Sequence, residues 1–262
     1  MPDRRRITLL TDFGTADGYV AAMKGVIAAI APDARIDDAT HDIAPGDIHA
    51  AAWVLGGYWH IYPAGTIHVV VVDPGVGSAR RALAAEACSR LFLAPDNGVL
   101  TRVFKLAGET SVVAVENARF FRDVVSATFH GRDVFAPVAA HLARGASLHE
   151  LGPAIHNPVE LELPEPDRNN DEIHGAIVHI DRYGNLVTNI PASWVTERAR
   201  VRVAGREFPL RRTYADVAEG ELLAVIGSRA TVEISVRDGS AAAVLAVLRG
   251  AEVVIVRKDS FQ

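Results

Sequence analysis

The chain has 262 residues, of which 49% are hydrophobic and 23% charged, a composition typical of a soluble globular protein rather than a disordered one. A formal net charge of -5 argues against a nucleic-acid-binding surface, and no apolar run approaches the ~20 residues that a membrane span requires. The single cysteine, Cys88, excludes an internal disulfide and gives no sign of an oxidising compartment, so we expect a cytoplasmic protein.

The first predicted element is a strand over residues 6–11, preceded by the basic residues Arg4 and Arg5 and ended by Asp12. Because Asp12 interrupts the apolar run so early, we expect no secretory signal. The helical spacing of apolar residues predicts a helix from Tyr19 to Ala31. Ligands of open α/β sheets bind at the carboxyl ends of strands, so Asp12 is a candidate site residue, and the alternative is a turn or N-cap residue.

A second strand is predicted over residues 34–38 and a second helix over residues 47–59, with Asp47 as its N-cap. The adjacent residues His41 and Asp42 lie between them. Both residue types bind metals, but one pair without further residues at ligand spacing is a weak signal, and we favour a local turn.

The central strand is predicted over residues 67–72, where four consecutive valines indicate burial on both faces of a parallel sheet. Asp73 follows at the carboxyl end of this strand. Pro74, Gly75 and Gly77 then predict a tight turn. Asp73 is therefore placed for chemistry, although an Asp that only caps the turn is an open alternative.

The next predicted elements are a hairpin, a short helix and a strand, over residues 82–94, 99–105 and 112–115. A helix through Phe135 to Leu142 follows, with Asp133 as its expected N-cap and His130 in the preceding loop. A loop histidine can titrate near neutral pH and contact a ligand, although a structural role is the more common one for such a residue.

The composition of the chain changes from about residue 150 onward. Several prolines and then a polar run at residues 167–172, including Asn170, indicate a connector. We expect an N-terminal α/β domain over residues 1–157, with a largely parallel central sheet flanked by helices. A linker over residues 158–172 and a C-terminal β-barrel-like domain over residues 173–262 would follow. This last region has a helix near residues 241–248 and short strands typical of a barrel or sandwich, at residues 175–180, 186–190, 200–203, 207–210, 222–226, 231–236 and 252–257.

The sequence lacks a Walker loop, a dinucleotide fingerprint, a nucleophile elbow and zinc-type spacing. Polar segments instead follow several of the apolar strands, at residues 12–15, 73–78, 95–98, 128–133 and 181–185. In this order, from about Ile7 to about Val256, they resemble the S-adenosyl-L-methionine (SAM) hydroxide adenosyltransferase family, relatives of enzymes that fluorinate or chlorinate the same substrate.

The resemblance implies that hydroxide displaces L-methionine from the ribose C5′ of SAM and leaves adenosine. It also implies a catalytic triad of Asp73, Arg80 and His130, with the adjacent Arg81 as the alternative to Arg80. Since the halogenating relatives carry other residues at the Asp and His positions, we expect a hydrolase. A halogenase and a non-catalytic adenosine- or SAM-binding protein are the alternatives.

This chemistry suits the three residue types. The sulfonium leaves as a neutral thioether, whereas hydroxide is scarce because bulk water has a pKa of about 15.7. The charged Arg80 can stabilise hydroxide, His130 can accept or relay a proton, and Asp73 can orient both. We expect no metal and no cofactor, with SAM as the substrate.

The resemblance further implies substrate contacts from both domains. Asp12 would hold the ribose hydroxyls, and Phe129 would form an aromatic wall beside His130. The second domain would contact adenine and the methionine part through Asp181, Tyr183, Asn185, Ser228 and Arg229. The family's arrangement implies a homotrimer with each site at a subunit interface.

The sequence departs from the family's usual residues at two places in the expected substrate pocket. Gly46 stands where relatives often place a large aromatic residue, and the segment 227–230 lacks the more usual asparagine and aromatic residues. These departures put the shape of the adenine and methionine pockets in question, and not the chemistry.

Overall fold

The computed structural model describes residues 5–169 and 171–256, which divide into two compact units between Leu161 and Glu162. Arg4, the connector residue Asn170 and the predicted strand end at Arg257 lie outside the described residues. The exact linker bounds, residues 158–172, stay a prediction.

The first unit is built on a six-stranded sheet in the order β2-β1-β3-β5-β4-β6. Its strands are β1 (Arg6–Thr11), β2 (Arg35–Thr40), β3 (Ile67–Val71), β4 (Ala82–Ala87), β5 (Arg90–Pro95) and β6 (Thr110–Ala114). The pairs β1–β2, β1–β3 and β3–β5 are parallel, and β4 runs antiparallel to both of its neighbours. The prediction of a largely parallel central sheet is confirmed.

The hairpin between β4 and β5 turns through two residues, Cys88 and Ser89. Their φ angles are 47° and 58°, so the turn has positive φ at both central positions, which matches the right-handed twist of the flanking strands. The predicted hairpin is therefore present, although neither turn residue is a glycine.

Helices cover both faces of this sheet. They are α1 (Tyr19–Ile30), α2 (Ile48–Tyr58), α3 (Thr101–Ala107) and α4 (Ala136–Ala143). Val69 and Val71 pack in a core with α1 and α4, whereas Val70 and Val72 pack in a second core with α2 and α3. Since side chains of a strand alternate between faces, the valine run supplies both cores.

Asp47 caps α2, as predicted, by accepting a hydrogen bond from the amide of Ala50 at 2.9 Å. Asp133 does not cap α4, and that prediction is wrong. One wide helical turn, Gly131–Phe135, leads directly into α4, and Asp133 lies inside it.

Within the described ranges, no helix is long and apolar enough to cross a bilayer.

The second unit is an antiparallel sheet in the order β11-β10-β14-β8-β9-β13-β12, with β7 beside β8. Its elements are β7 (Asp167–Arg168), β8 (Glu172–Ile180), β9 (Leu186–Pro191), β10 (Arg200–Val203), β11 (Arg206–Pro209), β12 (Leu222–Ile226), β13 (Thr231–Val236), α5 (Ala241–Leu245) and β14 (Glu252–Val256). Beyond β11, Leu210 pairs with Ala224 of β12, so the sheet nearly closes on itself. This confirms the predicted β-barrel-like architecture.

Candidate active site

Two carboxylates follow neighbouring parallel strands at one edge of the six-stranded sheet. Thr11, the last residue of β1, lies opposite Val71, the last residue of β3. Asp12 and Asp73 therefore leave the sheet at the same edge, as the predicted strand–loop order requires.

The turn after β3 contacts a distant loop. Gly77 has a φ of 77°, and a Cβ atom built on it would overlap the carbonyl oxygen of Ala127. A residue with a side chain fits neither this backbone conformation nor this close approach. The turn of residues 73–80 and the loop of residues 126–130 are thus held against each other.

This approach brings together the three residues of the predicted triad. The Nε atom of Arg80 donates to both carboxylate oxygens of Asp73 at 3.0 Å, and Nη2 also donates to Asp73 Oδ2. The same Nη2 lies 2.8 Å from Nδ1 of His130. The Asp73 and Arg80 side chains are only 4% and 12% exposed, so this charge-assisted pair is largely shielded from water.

His130 is the titratable member of the cluster. Burial lowers the pKa of its imidazole below the ordinary value of 6.5, and the Arg80 guanidinium lowers it further, against the opposing carboxylates Asp73 and Asp133. The ring is therefore neutral at neutral pH.

Arg81, the alternative to Arg80, points to other partners. Its Nε donates to Asp96 Oδ2 at 2.7 Å, and its Nη2 donates to the carbonyl oxygen of Asn157 at 2.8 Å. Asp96 also accepts from the amide of Val159 at 2.7 Å. The structure thus brings Arg80 and not Arg81 to Asp73 and His130, and the polar segment 95–98 anchors the chain near residue 157.

Asp12 does not cap α1, whose N-cap is Gly18. Its Oδ2 instead accepts from the amide of Gly46 at 2.8 Å, and a Cβ atom on Gly46 would lie 3.7 Å from Cβ of Pro74. The other oxygen, Oδ1, makes no hydrogen bond within the described ranges. Asp12 is thus anchored beside the turn after β3 with one oxygen available to a ligand.

Phe129 belongs to a cluster of three aromatic rings. Its centroid lies 5.8 Å from that of Phe13 and 5.2 Å from that of Tyr19, both in edge-to-face arrangements. Phe13 and Tyr19 were not among the predicted site residues. The only sequence signal for them was that Phe13 follows Asp12 in the first polar segment.

Sequence reasoning also missed the role of Asp133. This side chain is fully buried and accepts hydrogen bonds from Arg122, Arg132 and the Ser126 amide. Burial by itself would raise the pKa of Asp133, but these donors hold it at about 2. The carboxylate thus fastens both ends of the loop that carries Phe129 and His130.

In the second unit, Asp181 organises the turn after β8. Its Oδ1 accepts from the amides of Tyr183 and Asn185 at 2.8 and 2.9 Å, and its Oδ2 accepts from Asn185 Nδ2 at 2.9 Å. Asn185 is buried, whereas Tyr183 is 77% exposed. These three predicted residues therefore lie together.

Ser228 and Arg229 lie on the exposed turn between β12 and β13. Glu233, which was not predicted, faces this turn, because a Cβ atom on Gly227 would overlap its carboxylate. Burial and the nearby Asp181 raise the pKa of Glu233, and Arg229 opposes the rise. The predicted residues of the second unit thus share one polar surface with Glu233.

His41 and Asp42 follow β2 in an irregular segment with a bend at His41, where a local turn was favoured from the sequence. His41 is buried, with Nδ1 at 2.8 Å from Thr11 Oγ1 and Nε2 at 3.0 Å from Asp38 Oδ1. The amide of Asp42 donates to Thr40 Oγ1. In the part of the chain that the structure describes, no group of three or more His, Cys, Asp or Glu side chains is arranged to bind a metal.

Comparisons with known proteins cover nearly the whole chain. Residues 7–152 match the family model of the SAM hydroxide adenosyltransferase N-terminal domain, and residues 175–254 match that of the C-terminal domain. An (R)-S-adenosyl-L-methionine hydrolase of Salinispora arenicola is 42% identical, over 93% of this chain and 95% of the relative. A fluorinase of Actinoplanes sp. is 28% identical, over 85% of this chain and 88% of the relative. The crystal structure of an uncharacterized conserved protein from Thermotoga maritima superimposes with a TM-score of 0.90 at 38% identity, over 96% of this chain and 100% of that chain.

Proposed function

The chain belongs to the SAM hydroxide adenosyltransferase family, and from this premise we propose that it hydrolyses SAM to adenosine and L-methionine by hydroxide attack at the ribose C5′. The observation that carries the proposal is the contact of Arg80 with both Asp73 and His130 at the carboxyl edge of the central sheet. The name of the Salinispora relative supports the same reaction.

Arg80 and Asp73 have distinct physical roles in this proposal. The Arg80 guanidinium keeps its charge in any environment and stabilises hydroxide, and Asp73 holds it in a fixed orientation. Alignment of the nucleophile with C5′ and sulfur supplies several kcal/mol, up to roughly 7–11 for ideal orientation.

Substrate binding is proposed for residues of both units. The free Oδ1 of Asp12 suits a ribose hydroxyl, and Phe129 offers an aromatic surface beside His130. In the second unit, the adenine and methionine ends would be bound by Asp181, Tyr183, Asn185, Ser228 and Arg229.

We further propose a homotrimer in which the second unit of one chain completes the site on the first unit of the next. Head-to-tail contacts of this kind close into rings. Exposed apolar side chains support an interface near both sets of site residues, since Val124 and Val125 lie in the loop before His130 and Tyr183 lies in the turn after β8. We place the reaction in the cytoplasm, without a metal or cofactor.

Product analysis tests the activity. The protein is incubated with SAM in oxygen-18-labelled water, with and without chloride or fluoride, and the products are separated by chromatography. We expect adenosine with the label in its 5′-hydroxyl, methionine, and no effect of EDTA or halide. A 5′-halogenated product would make the protein a halogenase, and binding of adenosine without turnover would make it a binding protein.

A further inference from the structure

The hydrogen bond between Arg80 and His130 determines which imidazole nitrogen carries the proton. Nη2 of Arg80 lies 2.8 Å from Nδ1 of His130. A guanidinium has only donors, so Nδ1 must be the acceptor and must carry a lone pair. In a neutral ring the proton then lies on Nε2, which makes no hydrogen bond to any residue within the described ranges.

We propose that His130 acts as a hydrogen-bond donor to the nucleophile through Nε2, and not as its base, so that the site captures hydroxide already formed from solvent. This inference rests on the proposed hydrolysis. It assigns His130 a role opposite to the proton acceptor that the sequence suggests.

A base acquires a second proton, and with Nε2 already protonated this proton could enter only at Nδ1, so His130 would have to break its bond to Arg80. The resulting imidazolium would lie beside the permanent charge of the guanidinium. Burial and Arg80 already lower the pKa of His130. Of the two carboxylates that favour its charged form, Asp73 is bound by Arg80, and Asp133 is bound by two arginines and an amide.

The other two members of the cluster do not supply a base either. Both oxygens of Asp73 accept from Arg80, and the Asp73 side chain is 4% exposed. Nη1 of Arg80 makes no hydrogen bond among the described residues, so it is a second free donor. Two free donors favour hydroxide over water, because hydroxide offers more electron density to a donor and has fewer hydrogens of its own to donate.

The displacement at C5′ balances without a proton transfer to any side chain of the protein. Water ionises and releases its proton to the buffer before the reaction. The hydroxide oxygen then forms the bond to C5′ while the C5′–S bond breaks, and the electron pair of that bond remains on sulfur as the neutral thioether of methionine. The hydrogen of the hydroxide stays in the 5′-hydroxyl of adenosine.

The tautomer can be measured without any assay of activity. Nitrogen NMR of protein labelled with nitrogen-15 histidine, with His130→Gln as the reference that identifies the His130 signals, reports the protonation of each ring nitrogen. We expect a protonated, pyrrole-type Nε2 and an unprotonated, pyridine-type Nδ1 near neutral pH. A protonated Nδ1 would overturn the proposal, whether or not the protein hydrolyses SAM.

Kinetics of two variants test the role. The amide of Gln can donate from the position of Nε2 but cannot act as a base near neutral pH, whereas Ala does neither. We expect His130→Ala to lower kcat by about 10²–10³-fold, as loss of one oxyanion donor does, and His130→Gln to lie within about tenfold of wild type. The pH at which kcat/KM levels off should be the same in His130→Gln as in wild type.

If His130→Gln is as inactive as His130→Ala while both melt like wild type and bind adenosine, His130 is the base. The same conclusion follows if His130→Gln is active but has lost the pH inflection. A wild-type protein that makes no adenosine refutes the proposed function instead, and the NMR result then stands by itself.

Discussion

Gly77 lies against the carbonyl oxygen of Ala127 so closely that no side chain fits between them. This one approach joins the turn that carries Asp73 and Arg80 to the loop that carries His130. Arg80 and His130 are 50 positions apart in the sequence, and their side chains are joined by a hydrogen bond next to this contact.

Gly77→Ala should therefore separate the two halves of the cluster. A shift of the order of 1 Å can cost about 10²-fold in rate, so we expect a loss of kcat of about this size. The matched control is Gly205→Ala, because Gly205 has a similar φ of 72° but nothing within 4 Å of its Cβ position. Both variants should lose about 1–2 kcal/mol of stability through the left-handed backbone conformation. Gly77→Ala should lose more, because its Cβ atom overlaps the Ala127 carbonyl oxygen, and only Gly77→Ala should lose activity. Equal kcat values for the two variants would refute this interpretation.

Asp133→Asn should weaken the anchoring of the loop that carries His130. The pKa of Asp133 is held at about 2 in the folded protein, below its ordinary value of 3.8. The ionised carboxylate therefore stabilises the fold above the unfolded pKa, and this contribution is lost as the pH falls from 3.8 toward 2. We expect a loss of about 2 kcal/mol in the free energy of unfolding at pH 7, and a smaller difference from wild type near pH 2.

Denaturant unfolding at both pH values measures this difference. Asp123→Asn is the control, because Asp123 is exposed and in the same loop region. We also expect Asp133→Asn to lower kcat more than it raises KM, since the carboxylate positions His130 without contacting substrate. A difference from wild type that does not depend on pH would contradict the assigned pKa.

Arg80→Ala and Arg81→Ala should have different effects. Removal of Arg80 takes away the charge proposed to stabilise the nucleophile, so kcat should fall by about 10²–10³-fold with little change in KM. Arg81→Ala should keep most of kcat and lose stability, because it leaves the buried Asp96 without its ion pair. Steady-state kinetics and melting curves of both variants check this. An inactive Arg81→Ala beside an active Arg80→Ala would reverse the assignment.

Asp12→Ala should weaken binding more than turnover. Its free oxygen is proposed to hold the ribose, which substrate and product share, so Kd for adenosine and KM for SAM should rise together. Asp17→Ala, an exposed residue of the same loop, is the control. Calorimetric titration with adenosine gives the comparison, and an unchanged Kd in Asp12→Ala would exclude the ribose contact.

Sites shared between chains should show complementation. Inactive His130→Ala and inactive Asn185→Ala chains are mixed under conditions that allow subunit exchange. In a head-to-tail ring, about one quarter of the sites then pair two intact halves, so activity should return to about that fraction. A mixture that exchanges subunits and stays inactive, or an active monomer in sedimentation, would refute the shared site.

The layered architecture could be predicted from local patterns in the chain, because the spacing of apolar residues reports which faces of a helix or strand are buried. The valine run predicted a strand with two buried faces, and Val69 and Val70 lie in opposite cores. Asp47 was predicted as a helix cap, and it accepts the expected amide hydrogen bond. The order of polar segments also carried the family resemblance.

The pairing of charged side chains, in contrast, could not be predicted and is seen only in the folded chain. Arg80 and Arg81 are identical in type and adjacent in sequence, yet each one reaches a different buried carboxylate, Asp73 or Asp96. Asp133 resembled a helix cap because aspartate is common just before a helix, yet it binds arginines inside a wide turn. A buried charge needs a partner, because burial of an unpaired charge is costly. That partner can lie in a segment far away in the chain, and local sequence preferences do not identify it.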